Sequence, residues 1–331
     1  MSADADRLPG EFALIAEIFA PLATDPLAFK LTDDAAVIAP NQGKDLVVTA
    51  DMQIAGVHFF ADDAPDLIAR KLLRVNLSDL AAKGATPHGY LLTVALPRTA
   101  TLPWLRDFAS GLRADQQLYG ITLLGGDTTA SEGPLTLSVT AIGWVNAGQM
   151  PRRAGARAGD GVYVTGTIGD GWLGLGVRRN GPMGGMPPQD AAYLLDRYLL
   201  PQPRSSVAPL LPGVVSAAID ISDGLAADLG HLCQTSGVGA RVLAADVPLS
   251  PAARTALARG EASLAQLITG GDDYELLLAI PETRAAELQR GCAQLGVPLS
   301  RIGEVTRSPE LVFLDASGAP MTLGAGGYRH F

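Results

Sequence analysis

The chain has 331 residues, 47% of them hydrophobic and 18% charged, with a net charge of −9 at pH 7. That length points to about two domains with apolar cores of their own, and the acidic balance argues against a nucleic-acid partner, because phosphate backbones select basic faces. No run of about 18 apolar residues occurs, so no membrane span is expected.

Residues 12–20 read as a short helix, and the apolar runs 35–39 and 46–49 as strands, with Asp51 just past the second. Residues 67–83 have helical periodicity and end at Gly84, a C′ glycine. Asn76 and Asp79, three apart, share a face of that helix. Residues 90–96 predict a strand closed by Pro97, and 104–119 a helix stopped by Gly120. Residues 121–124 predict a strand that delivers a Gly125-Gly126-Asp127 loop, and 135–145 alternate as a long strand. The glycine-rich, basic, aperiodic stretch 148–159 marks a joint between an N-terminal domain, 1–148, and a C-terminal one, 149–331. Beyond it come a strand at 162–165 and a Gly/Pro/Met loop at 180–188 that reads as mobile. A strand at 217–219 ends at Asp220, and Ser222 is read as the N-cap of a helix running to about 234. A strand at 274–280 and a helix at 282–295 follow. Alternating helices and strands make the fold class α/β, or α+β.

Two acidic motifs recur in each half. Asp79 of Ser78-Asp79 precedes Asp127 of Gly125-Gly126-Asp127 by 48 residues, and Asp223 of Ser222-Asp223 precedes Asp272 of Gly270-Gly271-Asp272 by 49. Asp33, Asp34, Asp51, Asp220 and Asp273 complete a set of carboxylates at strand ends and glycine turns. Brought together, such groups repel one another unless protonated or bound to metal. Mg²⁺ takes one or two carboxylates plus waters and substrate phosphates. Any single Asp of this kind is more often a turn or cap residue, so the case rests on the whole set.

Other motifs point nowhere. Gly169-Asp170-Gly171-Trp172-Leu173-Gly174 fits a dinucleotide fingerprint but lacks the second strand with its acid about 20 residues on, so a tight strand-to-helix turn is the better reading. Gly43-Lys44 lacks the remaining residues of a P-loop. His58, His88, His231 and His330 have no zinc spacing, and Cys233 and Cys292 form neither a metal-spaced set nor a disulfide framework. The first residues lack the basic start and apolar run of a secretory leader, and a cytoplasmic location is expected. No Ser/His/Asp or Cys/His order offers a nucleophile. That suits a phosphate acceptor, whose oxygen is largely ionised at pH 7 and needs alignment and charge neutralisation rather than a general base.

Gly10-Glu11-Phe12, Asp33-Asp34-Ala35-Ala36-Val37, Ala55-Gly56-Val57-His58-Phe59, Asn76-Leu77-Ser78-Asp79-Leu80-Ala81-Ala82, Gly125-Gly126-Asp127-Thr128-Thr129, Asp220-Ile221-Ser222-Asp223-Gly224-Leu225 and Gly270-Gly271-Asp272-Asp273-Tyr274-Glu275-Leu276 carry a resemblance that runs nearly end to end. The chain resembles the thiamine-monophosphate kinase family. The resemblance implies direct transfer of the γ-phosphoryl of ATP onto thiamine monophosphate, with several Mg²⁺ ions and no phospho-enzyme. It also implies the aminoimidazole-ribonucleotide synthetase-like fold, with the N-terminal sheets of a homodimer pairing into a β-barrel.

By motif position, Asp34, Thr49, Ala50, Asp51, Asp79, Asp127, Asp220 and Asp223 look like metal-site residues. Gly126, Asp127, Arg153 and Ser222 look like ATP contacts, and His58, Asp272 and Tyr328 fall where the family holds thiamine phosphate. The N-terminal domain is then expected to carry the metal and ATP site and the dimer interface, and the C-terminal domain to complete the nucleotide and thiamine phosphate sites. Three positions depart from the family: Ala50 stands for Thr, Asp272 for the commoner Glu, and Thr32 for a glycine. The alternatives are another ATP-using enzyme of the same superfamily, or a non-catalytic nucleotide- or cation-binding sensor, against which the intact acids in both halves argue.

Overall fold

A computed structural model describes residues 8–182 and 184–323. The chain divides into two compact units, one made of the residues up to Leu80 plus Thr86–Trp144, the other of Ala81–Ala85 plus the chain from Val145 onward. The change of unit thus falls four residues before the sequence-based boundary at 148/149, and one helical end belongs to the second unit.

The first unit opens with α1 (Glu11–Leu14), which continues through a wide turn, Ile15–Phe19, and a tight one, Ala20–Leu22. Then come β1 (Lys44–Ile54), α2 (Pro65–Ala82), β2 (Thr86–Pro97), α3 (Leu102–Tyr119), β3 (Thr122–Ser131) and β4 (Thr136–Asn146). The sheet order is β1-β4-β2-β3, with β2 parallel to β3 and antiparallel to β4. Alternation sorts the strands into two faces. Val47, Tyr90, Leu92, Val94, Leu137 and Val139 are buried, as are Leu72, Leu73 and Leu77 of α2 and Leu105, Phe108 and Leu112 of α3. Leu46, Val48, Met52 and Leu91 occupy the other face and are exposed. Buried Asp115 of α3 accepts from Arg74 of α2 through Nε at 2.6 Å and Nη2 at 3.0 Å, so the two helices are joined by a two-pronged ion pair.

Three local expectations fail here. Residues 35–39 form no strand; Ala36 and Ile38 pack against Ala23, Ala28, Leu124 and Ile142 as irregular chain, so their apolar character serves the core without a strand neighbour. Asp51 lies inside β1, not beyond it. Gly125-Gly126-Asp127 is not a loop but the middle of β3, because pairing resumes after an extra residue, Leu124: Tyr90 faces Leu123, then Leu91 faces Gly125.

The second unit contains β5 (Gly161–Thr165), α4 (Asp170–Asn180), α5 (Pro188–Leu199), β6 (Ala217–Asp220), α6 (Leu225–Ser236) and β7 (Gly239–Leu243). It continues with α7 (Pro251–Ala258), α8 (Leu264–Thr269), β8 (Leu276–Ile280), α9 (Glu282–Gln294), β9 (Leu299–Thr306) and β10 (Leu311–Leu314). The strand order is β10-β7-β9-β5-β8-β6, antiparallel except between β10 and β7. Strands β5, β6 and β8 are buried along their whole length. Val164, Ile219 and Leu277 pack with Leu225 and Leu229 of α6, while Tyr163, Ala218 and Leu278 pack with Leu288 of α9. Both faces of the sheet are covered, which is why these strands read as unbroken apolar runs. Among the described residues no helix is long and apolar enough to cross a membrane.

Candidate functional site

In the first unit the site grows from the pairing of β1 with α2. Thr49 and Asp51, two apart on an extended strand, face the same side; Asn76 and Asp79 share a face of the helix. The Thr49 hydroxyl donates to Asp79 Oδ2 at 2.5 Å, and the Asp51 backbone N–H donates to Asn76 Oδ1 at 3.1 Å. Two carboxylates are thereby held on adjoining elements. Burial and, after it, the Asp79 charge push the Asp51 carboxyl up to about 6. Water still reaches Asp51, which softens the effect without changing its sign. Ala50 faces the opposite side of β1 by alternation, so only its backbone could serve the Thr49–Asp51 row. Gln53 continues that row; it is buried and its Oε1 has no hydrogen-bond partner.

His58 follows β1 on a turn whose Ile54 N–H donates to His58 Nδ1 at 3.1 Å. With Nδ1 accepting, the neutral ring carries its proton on Nε2. Asp34 is exposed in irregular chain, its N–H bonded to Asp33 Oδ1. Thr32 sits at φ −98°, a conformation that needs no glycine; the left-handed backbone lies instead at Phe29, Lys30 and Leu31. Gly126 is obligatory for packing, since a Cβ there would stand 1.7 Å from the Leu92 carbonyl oxygen. Asp127 opposes Thr93 on the open side of the sheet. Because β1 and β3 are opposite edges of the four-stranded sheet, about three strand spacings, roughly 14 Å, separate the Asp127 strand from the Asp51 strand. Within one chain β4 and β2 lie between the strands that carry these two acids.

In the second unit the end of β6 and the approach to β8 are laced together. Asp220 closes β6 opposite Leu276. Ile221 N–H donates to the Glu275 carbonyl at 2.8 Å, Asp272 N–H to the Ser222 carbonyl at 2.9 Å, and Tyr274 N–H to the Ile221 carbonyl at 2.8 Å. Asp220, Ser222, Asp223 and Asp272 therefore share one edge of the unit. Asp272 and Tyr274 both have left-handed backbone, at φ 65° and 53°, which is costly for side chains other than glycine. The Tyr274 hydroxyl donates to Asp272 Oδ1 at 3.1 Å. Arg153 is exposed in the loop whose Arg152 carbonyl accepts from Ala218 of β6. Tyr328 lies outside the described residues.

Ser222 is not the N-cap of α6. Gly224 holds that place, at φ 116°, where a Cβ would meet the Gly270 carbonyl oxygen at 2.6 Å. The capping anion comes from inside the helix: Asp228 Oδ2 accepts from the N–H groups of Ser222, Asp223 and Gly224 at 3.1, 3.1 and 3.2 Å. Burial and then the Asp223 charge push the Asp228 carboxyl up to about 7, against the pull of those three donors.

The Gly169–Gly174 turn is filled in the same way. Asp273 accepts from Gly169 N–H at 3.0 and 2.9 Å and from Gly171 N–H at 3.2 Å, in the position a dinucleotide phosphate would take. Beside it, buried Asp170 accepts hydroxyl donors from Ser250 at 2.5 Å, Thr167 at 2.6 Å and Tyr193 at 2.9 Å. Sequence reasoning missed Asp228 altogether, although an acid in the first turn after a glycine is a recognisable anchor for orphan N–H groups. Among the described residues, no three of His, Cys, Asp and Glu stand ready around one cation position.

The AIR synthase related protein, N-terminal domain, matches residues 32–145, and the AIR synthase related protein, C-terminal domain, matches 157–315. Thiamine-monophosphate kinase of Caulobacter vibrioides is 44% identical over 99% of this chain and 93% of its own length. That of Escherichia coli K12 is 39% identical over 97% and 98%. The chain belongs to the thiamine-monophosphate kinase family. Solved members share its fold. The enzyme from Stenotrophomonas maltophilia K279a superposes with a TM-score of 0.82 at 40% identity over 92% of this chain and 96% of that one. AaThiL complexed with AMPPCP and TMP does so with a TM-score of 0.77 at 29% identity over 97% of both chains. The two units are thus an N- and a C-terminal AIR-synthase-related domain, each a mixed sheet with helices.

Proposed function

We propose that the chain carries out its family's reaction, ATP-dependent phosphorylation of thiamine monophosphate to thiamine diphosphate, by direct in-line transfer assisted by several Mg²⁺ ions. The observation that carries this reading is the 44% identity to the Caulobacter kinase over 99% of the chain. AaThiL, a related protein aligned over 97% of this chain, has been complexed with an ATP analogue and TMP.

The residues fit a hard divalent cation. Asp51 and Asp79 repel one another, and a bound cation removes that cost. Thr49, Asp34, Asp127, Asp220 and Asp223 add oxygen donors of the kind Mg²⁺ takes, and Ala50 can add its backbone carbonyl. When bound, Mg²⁺ neutralises phosphate charge and lowers the barrier to in-line displacement. The chain's own groups divide the remaining work. The backbone nests at 222–224 and 169–171 already hold Asp228 and Asp273, so phosphate binding is left to the Ser222 hydroxyl, Gly126, Arg153 and carboxylate-held cations. His58 Nε2–H suits a phosphate oxygen. Asp272 suits the cationic ring of thiamine, and Tyr328 keeps the stacking role that the family resemblance implies.

A homodimer belongs to the same reading. The open sheet face bearing Leu46, Val48, Met52 and Leu91 is the observation that supports it. Pairing β1 with the β3 edge of a second copy would extend the two sheets into a barrel and bring an Asp127 to the Asp51 strand. The test of function is turnover: protein, ATP and Mg²⁺ with thiamine monophosphate, thiamine or aminoimidazole-pathway substrates in parallel. Thiamine diphosphate formed only from the monophosphate supports the proposal. Stoichiometric nucleotide binding without product would favour a sensor.

A further inference from the structure

We infer that Asp228 is a positioning residue of the nucleotide and metal site, acting through the Ser222–Gly224 loop. Three consecutive backbone N–H groups converge on one carboxylate oxygen of a residue that is 3% exposed. Such a nest of successive N–H groups is an anion cradle, and here the anion is built into the chain. The loop's carbonyls are tied elsewhere, Ser222 C=O accepting from Asp272 N–H at 2.9 Å and Gly224 C=O from Asp228 N–H at 3.0 Å, and its three N–H groups are the ones that Asp228 holds. The consequences reach both neighbours. Ser222 and Asp223 follow directly from the anchored N–H groups, so the directions of the Ser222 hydroxyl and the Asp223 carboxylate depend on the anchor. The Ser222 carbonyl, turned the other way by the same anchorage, accepts from Asp272 N–H at 2.9 Å. One buried carboxylate thus sets the loop that faces nucleotide and, through one peptide, the loop that carries Asp272. This rests on the kinase reading for what the loop touches; the anchorage itself does not.

The experiment compares Asp228→Ala, which removes every acceptor, with Asp228→Asn, which keeps one oxygen for the nest but no charge. Three quantities are read for the full-length protein. They are far-UV circular dichroism with a thermal melt, calorimetric affinity for a non-hydrolysable ATP analogue as a function of Mg²⁺, and KM against kcat for ATP and thiamine monophosphate. Groups that orient metal ligands are worth about 10–100-fold in affinity or activity. Asp228→Ala is therefore expected to remain folded yet to need at least about tenfold more Mg²⁺ for half-maximal analogue binding. Asp228→Asn should recover part of that loss. Wild-type Mg²⁺ dependence in a folded Asp228→Ala protein overturns the inference, as does an Asp228→Ala protein that fails to fold while Asp228→Asn behaves as wild type. If wild-type protein forms no thiamine diphosphate, the kinase reading falls, while the analogue-binding comparison still decides the role of Asp228.

Discussion

The Thr49 hydroxyl donates to Asp79 Oδ2 at 2.5 Å, joining a strand residue to a helix residue thirty positions away. The bond occupies one lone pair of a proposed metal ligand and ties its carboxylate to β1. Thr49→Val keeps the β-branched shape and removes the donor. It is expected to cost about 1 kcal/mol of stability and about tenfold in the Mg²⁺ needed for half-maximal turnover. Chemical denaturation and a Mg²⁺ titration of initial rates check this; an unchanged Mg²⁺ requirement would separate Thr49 from the site.

Asp51 and Asp127 stand on opposite edges of one sheet. If a second copy supplies the missing acid, Asp51→Asn and Asp127→Asn should each be inactive alone. Unfolded and refolded as a mixture, they should recover activity. Random pairing makes half the dimers mixed, each with one intact site, so recovery reaches about a quarter of the wild-type level. No recovery from a mixture shown to contain mixed dimers would mean that the two acids serve the same chain.

Glu275 is the hub of a buried ion cluster. It accepts from Thr165 Oγ1 at 2.7 Å, from Arg197 Nη2 at 3.0 Å and from Arg204 through Nε at 2.5 Å and through Nη2. Glu275→Gln leaves two guanidinium groups without their counter-charge inside the second unit. Removing one member of such a cluster typically costs about 3–5 kcal/mol. The expected result is a large drop in the denaturation midpoint, and a midpoint near wild type would show that solvent reaches the arginines.

The buried Asp273 carboxyl is pushed well above its ordinary range by burial, with Asp170 adding to the shift and Gly169 N–H, Gly171 N–H and Arg197 opposing it. A carboxyl whose folded pKa exceeds its unfolded value of about 3.9 holds its proton more tightly when folded. The stability it contributes is full below the unfolded value and is lost as pH rises through the folded one. Asp273→Asn removes that titration. Urea unfolding of both proteins over a pH series should show the stability difference moving in favour of wild type as pH falls. A difference that does not vary with pH would mean that Asp273 is ionised in the folded protein.

Much of the site was legible in the chain because it is written in short motifs. The face shared by Asn76 and Asp79 follows from helical spacing alone, and both residues reach β1 as that spacing requires. Gly84 and Gly120 end their helices with left-handed backbone, a requirement local to each residue. The strand expected at 35–39 failed because apolar character reports burial and not pairing. The Gly125-Gly126-Asp127 segment misled for the opposite reason. Glycines usually mark turns, but here Gly126 makes room for the carbonyl of Leu92 on a neighbouring strand.

Family membership and the mixed α/β class were thus set by residues and their near neighbours. Three matters were decided only in three dimensions: the placement of Asp51 and Asp127 on opposite edges of one sheet, the occupation of both glycine nests by the chain's own carboxyl groups, and the anchorage of Ser222 by Asp228. Strand order and hydrogen bonds between remote segments have no period in the sequence. They come into being when separate elements pack, and their partners are then chosen by burial and geometry.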